Sequence, residues 1–163
     1  MLCDKIAKIK KDMEIKGHPL HDLRFNRQLV SLNCQLIDYT DVLQCIRNKV
    51  LLNKYRKDWT RMYKTFKELC SEVQTNQNSR RLVTFNTTGY SKEFQCFNLI
   101  QFIMEPDGTF DCIVYQRSAD LLQKVEDDLM FFGYIIDKFE RYTFGQVSSL
   151  KVCYGNIHFD TKK

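Results

Sequence analysis

Two hydrophobic periods divide the chain. Up to about residue 73 the apolar positions recur every three or four residues, which predicts helices. Leu2, Ile6, Ile9 and Met13 share one face of a helix over residues 2 to 16, with Lys and Asp opposite and Gly17 placed to end it. A second helix is expected from Asp41 to Leu52, capped by Thr40 or Asp41. A longer one runs from about Asp58 to Val73, with Trp59, Met62, Tyr63, Phe66, Leu69 and Val73 as its stripe. The stretch from His18 to Asp38 has no clear period, although Leu29-Val30-Ser31-Leu32 suits a strand. Beyond the polar loop from Gln74 to Ser79 the period shortens to that of strands. Arg81 to Asn86 is one, and Phe94 to Met104 and Thr109 to Gln116 are two more. Between the last two, Glu105-Pro106-Asp107-Gly108 places Pro and Gly for a tight hairpin. A helix over Asp120 to Glu140 turns Leu121, Leu122, Val125, Leu129, Phe132 and Ile136 inward, and a strand over Leu150 to Phe159 closes the order. The expected fold class is α/β of the α+β kind, with helices packed on a mixed, largely antiparallel twisted sheet.

Composition adds bounds. A chain of 163 residues fits one domain with a sizeable core, and no linker or repeat interrupts it. No apolar run is long enough to cross a bilayer, and the first residues lack the apolar stretch of a signal peptide. The seven cysteines include no C-x-x-C pair, so neither a zinc site nor a disulfide framework is expected. Free thiols of this kind suit a reducing, cytoplasmic compartment. The net charge of +5 is mild. It is compatible with an anionic ligand. Lys8-Ile9-Lys10-Lys11 and Lys54-Tyr55-Arg56-Lys57 offer nucleic acid a weak footing at most, because such clusters usually form solvated helix faces.

The chemistry-bearing residues concentrate late in the chain. Gln116-Arg117-Ser118 sets an amide, a guanidinium and a hydroxyl in a row at the end of an apolar run. A planar fork of donors with a fixed charge, next to a hydroxyl, suits phosphate or carboxylate. Arg80-Arg81 is a second basic pair, equally at home on a solvated loop. Cys96 lies in an apolar strand, which fits a small core residue as well as a nucleophile. Asp128 follows Glu126 and Asp127, so it reads either as a helix-surface carboxylate or as a ligand-facing one.

Considered together, these segments resemble the thymidylate synthases and their relatives, the deoxycytidylate hydroxymethylases. Tyr115-Gln116-Arg117-Ser118-Ala119-Asp120 resembles the Tyr-Gln-Arg-Ser-x-Asp signature of that family. Asn78-Ser79-Arg80-Arg81 is similar to its Ser-Arg-Arg, and Phe94-Gln95-Cys96-Phe97-Asn98 to the segment holding its nucleophilic Cys. Gly155-Asn156-Ile157-His158 resembles its Gly-x-x-His strand. The order and spacing agree over residues 55 to 160. The resemblance implies a thymidylate-synthase-like fold and a pyrimidine nucleoside monophosphate as ligand. Cys96 would add to C6 of the base, and C5 would accept a one-carbon unit from 5,10-methylenetetrahydrofolate. Arg117, Ser118, Arg80 and Arg81 would hold the phosphate. The Arg pair would reach across a two-fold axis, which implies a homodimer. Asp128, Asn98, His158 and Gln116 would face the base and sugar, and Asp120 and Trp59 the folate. Thymidylate synthases keep Asn where this chain has Asp128, while the hydroxymethylases keep Asp. A carboxylate accepts from the amino group of cytosine, so dCMP is expected over dUMP.

The chain also departs from that pattern. Gln95 and Phe97 replace the Pro and His that usually flank the synthase Cys. A loose alignment sets Asn48 where the family carries a Glu that manages proton transfer, and an amide is no general base. Lys124 replaces a Gly on the folate side, and Asp160 a Tyr near the sugar. The nucleotide half of the site is better kept than the folate half. Two readings therefore stand side by side: a cytosine-nucleotide C5-hydroxymethyltransferase, and a pseudoenzyme that binds nucleotide, protein or nucleic acid on the same scaffold.

Overall fold

Six strands join into one sheet in the order β1-β2-β6-β5-β4-β3. The computed structural model describes residues 1–22, 26–50, 66–67, 70–71, 83–86 and 97–162. In chain order the elements are α1 (Leu2–Lys16), β1 (His18–Asp22), β2 (Arg27–Asp38), a 3-10 turn (Thr40–Val42), α2 (Leu43–Val50), β3 (Val83–Asn86), β4 (Phe97–Met104), β5 (Phe110–Asp120), α3 (Val125–Thr143) and β6 (Val147–Asp160). Every neighbouring pair is antiparallel except β5 and β6. That pair runs parallel because α3 carries the chain back between them, as a parallel connection requires. The result is a mixed α/β architecture.

The core explains the helix positions. Ile100 and Phe102 of β4, Cys112 and Val114 of β5, and Leu150 and Val152 of β6 are fully buried. Against them α3 turns Val125, Leu129, Phe132, Ile136 and Phe139. Phe139 stacks on Phe102 with centroids 3.8 Å apart and meets Phe110 edge-on at 4.9 Å. Phe66 and Cys70, in short helical pieces, reach the same core. Arg47 ties α2 to α3 and β6: its Nη2 donates to Glu140 Oε1 at 2.6 Å and to the Val147 carbonyl at 2.7 Å.

Along β6 the core changes sides. Leu150, Val152 and Tyr154 are buried at its start, and Ile157 and Phe159 at its end. Since successive strand residues face opposite ways, the two sets lie on opposite faces. The second set belongs with α1, whose Lys10 ammonium stands 5.5 Å from the Phe159 ring. The changeover falls at Gly155. A Cβ there would meet the Arg117 carbonyl oxygen at 2.7 Å, so a bare backbone is needed for β5 and β6 to stay in register. As a consequence, the helix-side face of the sheet is left to polar residues beyond Tyr154.

Several sequence expectations need adjustment. The α1 helix, its apolar face and its end at Gly17 are as expected. The ambiguous stretch before Asp38 is a hairpin of two strands. Neither Thr40 nor Asp41 caps α2. A 3-10 turn precedes that helix, and Thr40 Oγ1 accepts instead from the Leu150 amide at 3.2 Å. The helix expected from Asp120 begins at Val125, because Asp120 ends β5 and residues 121–124 form turns. The Glu105–Gly108 hairpin is present, with Gly108 at φ +84° and Glu105 N donating to the Thr109 carbonyl at 2.8 Å. Most of the helix expected over residues 58 to 73 lies outside the described residues.

Candidate functional site

The polar strip is built from three strands. On β5, strand alternation sets Gln116, Ser118 and Asp120 on one face. Across the parallel ladder they pair with Tyr154, Asn156 and His158 of β6. Across the antiparallel ladder, Asn156 and His158 pair with Asn33 and Ser31 of β2. The first turn of α3 leans over one end of this strip and brings Asp128 to Gln116.

That contact is the tightest feature of the site. Gln116 is 4 % exposed. Its Nε2 donates to Asp128 Oδ2 at 2.6 Å and to the Ser118 carbonyl at 3.2 Å. Two acceptors on one side fix the amide, and Gln116 Oε1 is left buried with no donor. Asp128 is therefore not a solvated surface carboxylate. Burial pushes its carboxyl above the ordinary range, against the opposing pull of the Gln116 bond and the Lys124 charge. Behind it lie two fully buried phenols. Tyr39 and Tyr154 hold their hydroxyls 3.1 Å apart. Burial raises Tyr39 to about 12 and Tyr154 well above its usual value, and both sense the Asp128 charge.

At the other end of the strip, Asp120 stops β5 and starts the turns before α3. Its Oδ1 accepts from the amides of Leu122 and Gln123, both at 3.1 Å. One oxygen of the carboxylate expected to face folate thus has a local capping task. His158 is half-buried. Burial lowers its imidazole pKa, offset in part by the Asp120 charge, which keeps the ring neutral near pH 7. Its Nδ1 lies 2.9 Å from Asn156 Oδ1, and Asn156 Nδ2 donates to Asn33 Oδ1 at 2.8 Å.

The expected site residues separate into three sets. Gln116, Asp128, Ser118, Asp120 and His158 come together on or beside the strip. Arg117 is exposed and, by strand alternation, projects from the opposite face of β5. No described residue ion-pairs or hydrogen-bonds with its guanidinium. Ile103, Ile113 and Tyr115 share that face and are at most partly buried. The backbone of Asn98 sits at a register shift between Phe97 and Leu99, next to the Phe97–Gln116 pair. Irregularities of this kind re-aim side chains beside functional sites. Cys96, Arg80, Arg81 and Trp59 lie outside the described residues.

The departures from the family pattern have places too. Asn48 is exposed on α2 and accepts from Gln44 at 3.1 Å. Lys124 precedes α3 and is exposed. Asp160 is 7 % exposed and accepts from the Lys162 amide at 2.9 Å, so its charge is partly satisfied within β6. Sequence reasoning missed Tyr39, Tyr154, Asn33 and Asn156 as members of the site. Asn156 had a visible signal: it lies two residues before His158 in a strand and must share its face. Tyr39 had none, since only the fold brings it to Tyr154.

Among the described residues no group of His, Cys, Asp and Glu could hold a metal ion. No helix of the described residues is long and apolar enough to cross a membrane. No family model matches the chain.

Proposed function

We propose that the chain is a pyrimidine nucleoside monophosphate-binding protein of the thymidylate synthase and deoxycytidylate hydroxymethylase type, with a preference for cytosine. The observation that carries the reading is the Gln116–Asp128 contact of 2.6 Å at the end of a polar strip that also holds Ser118, Asp120 and His158. Each of these residues comes from a family-like segment, and the sheet gives them one face. A partly buried carboxylate that retains its proton more readily than usual offers both an acceptor and a donor. Those are the complements of the amino group and N3 of cytosine.

In this reading Arg117 takes the phosphate, with Ser118 beside it and Arg80 and Arg81 supplied by a second copy. Its position on the uncovered face of β5 suits a homodimer that meets through that face. Cys96 supplies the thiolate for C6 and Asn98 orients the base. Methylene-tetrahydrofolate would supply the one-carbon unit, between Asp120 and Trp59. The exposed Asn48 in place of a general base, and the capping task of Asp120, favour a second outcome for the same fold. Nucleotide then binds while folate-dependent transfer is slow or absent.

Calorimetry with dCMP, dUMP and inorganic phosphate tests the binding claim. Micromolar binding of dCMP with weaker dUMP supports it, and no binding of either ends it. Release of tritium from C5 of labelled dCMP, with and without methylene-tetrahydrofolate, separates the two outcomes. Rapid release that is lost in Cys96→Ser identifies the enzyme. Binding without release identifies the pseudoenzyme.

A further inference from the structure

We infer that Asn33 and Asn156 are positioning residues that hold His158 as its Nδ1–H tautomer, leaving the Nε2 lone pair to accept a hydrogen bond from a ligand hydroxyl. Donors and acceptors alternate along the row. Asn156 Nδ2 donates to Asn33 Oδ1 at 2.8 Å. An amide that donates from its nitrogen on one side presents its carbonyl oxygen on the other, and that oxygen lies 2.9 Å from His158 Nδ1. A carbonyl oxygen only accepts, so Nδ1 must carry the hydrogen. In a neutral ring the remaining nitrogen then carries the lone pair. Burial keeps the ring neutral near pH 7, and no described side chain hydrogen-bonds with Nε2.

The surroundings make this orientation consequential. Asp120 is the cross-strand neighbour of His158 in β5, and Ser31 its neighbour in β2. Asp22 and Arg27 of the β1–β2 hairpin also reach it electrostatically. An Nε2–H tautomer would donate toward this acid-rich end and would compete for any ligand acceptor. The Nδ1–H tautomer instead asks the ligand for a donor. A sugar hydroxyl is a donor, whereas a phosphate ester at the same position is not. On the reading proposed above, the group is the 3′-hydroxyl of a 2′-deoxynucleoside monophosphate, and a ligand lacking it leaves Nε2 unpaired.

The chain Asn33–Asn156–His158 can be cut at its far end without touching the histidine. Asn33 is exposed, so its replacement spares the core. In Asn33→Leu, Asn156 loses its acceptor and its amide is free to turn its nitrogen toward Nδ1, which moves the hydrogen to Nε2. Asn33→Asp keeps an acceptor for Asn156 Nδ2 and serves as the conservative rescue. Nitrogen-15 NMR of the labelled imidazole at pH 7.5 reads the tautomer directly. The expected result is Nδ1–H in the wild type and in Asn33→Asp, with a shift toward Nε2–H in Asn33→Leu. A wild-type ring in the Nε2–H form, or an Asn33→Leu spectrum identical to wild type, overturns the inference. The ligand half is read by the ratio of affinities for dCMP and its 3′-deoxy analogue. About tenfold preference for the 3′-hydroxyl is expected in the wild type and Asn33→Asp, collapsing toward unity in Asn33→Leu. Equal binding of the two nucleotides by the wild type overturns the hydroxyl assignment. If neither nucleotide binds, the proposed function and the hydroxyl assignment fall together, while the NMR result still decides the tautomer.

Discussion

Replacing Asp128 by Asn tests the site at its most informative atom. The amide keeps an oxygen to accept from Gln116 Nε2, so the shape of the contact at 2.6 Å is preserved. Two terms change. The hydrogen bond loses its charge assistance, which costs about 0.5–1.5 kcal/mol. Against this, a charge no longer has to be held away from water. The net change in stability at neutral pH should stay within about 1 kcal/mol, because the terms oppose each other.

The pH dependence gives the sharper result. Burial raises the Asp128 pKa above that of the unfolded chain, so the folded protein binds the proton more tightly. Wild-type stability should therefore decline as pH rises from the unfolded value, about 4, through the raised folded value, and then level off. The amide of the Asp128→Asn variant has no such proton to lose. The stability of Asp128→Asn relative to wild type should grow over that window. Urea denaturation at closely spaced pH values between about 4 and 8 reads the difference. A relative stability that falls with rising pH would mean that the carboxylate is stabilised in the fold, and would refute the reasoning. The same variant should move base preference toward dUMP. A carboxylate set against O4 of uracil leaves two acceptors facing, at a cost of about 1–3 kcal/mol, or tenfold and more in affinity. An unchanged dCMP to dUMP ratio removes Asp128 from base recognition.

Four further outcomes are expected. Arg117→Ala should weaken nucleotide monophosphate binding by about 1.5–3 kcal/mol while leaving the melting temperature nearly unchanged, since the side chain is exposed; calorimetry and a thermal melt check both halves. Gly155→Ala should destabilise the fold by about 1–3 kcal/mol, because the new methyl meets the Arg117 carbonyl at 2.7 Å, and a chemical melt equal to wild type would contradict that account. Phe102→Ala removes one half of the stack on Phe139 and should cost about 3–5 kcal/mol by the same measurement. Sedimentation at tens of micromolar should show a dimer, and Tyr115→Lys on the uncovered face should shift it toward monomer; a wild type that stays monomeric excludes a site shared between copies.

How much of this was readable in advance depended on range. Local order was well encoded. The α1 stripe of Leu2, Ile6, Ile9 and Met13, the Pro-Asp-Gly hairpin, and the alternation of β5 each rest on contacts within a few residues, so a period in the chain is enough to predict them. Boundaries were less legible where one residue serves two elements. Asp120 belongs to the last pair of β5 with His158 and also caps the following turn, which moved the start of α3 to Val125. The end of α3 shows the same competition. Phe144, not a glycine, takes the left-handed position at φ +55°. Gly145 is needed one residue later, where a Cβ would strike the Phe110 ring at 2.6 Å.

The candidate chemistry follows the same division. Residue types and their order already named Gln116, Arg117, Ser118, Asp120, Asp128 and His158. The sequence alone left Asp128 as either a surface or a ligand-facing carboxylate, because Glu126 and Asp127 beside it are solvated. Only the turn between β5 and α3 decides the matter, by swinging the first helical turn back over Gln116. Likewise no spacing rule joins Tyr39 to Tyr154, or Asn33 to Asn156, since each pair is more than one hundred residues apart. Their meeting is set by β2 lying beside β6. That neighbourhood is an energetic outcome of the whole sheet, in which β6 buries one face early and the other face late. The sequence by itself determined which functional groups are present; the tertiary structure decided which of them share a face, which are desolvated, and which already have partners.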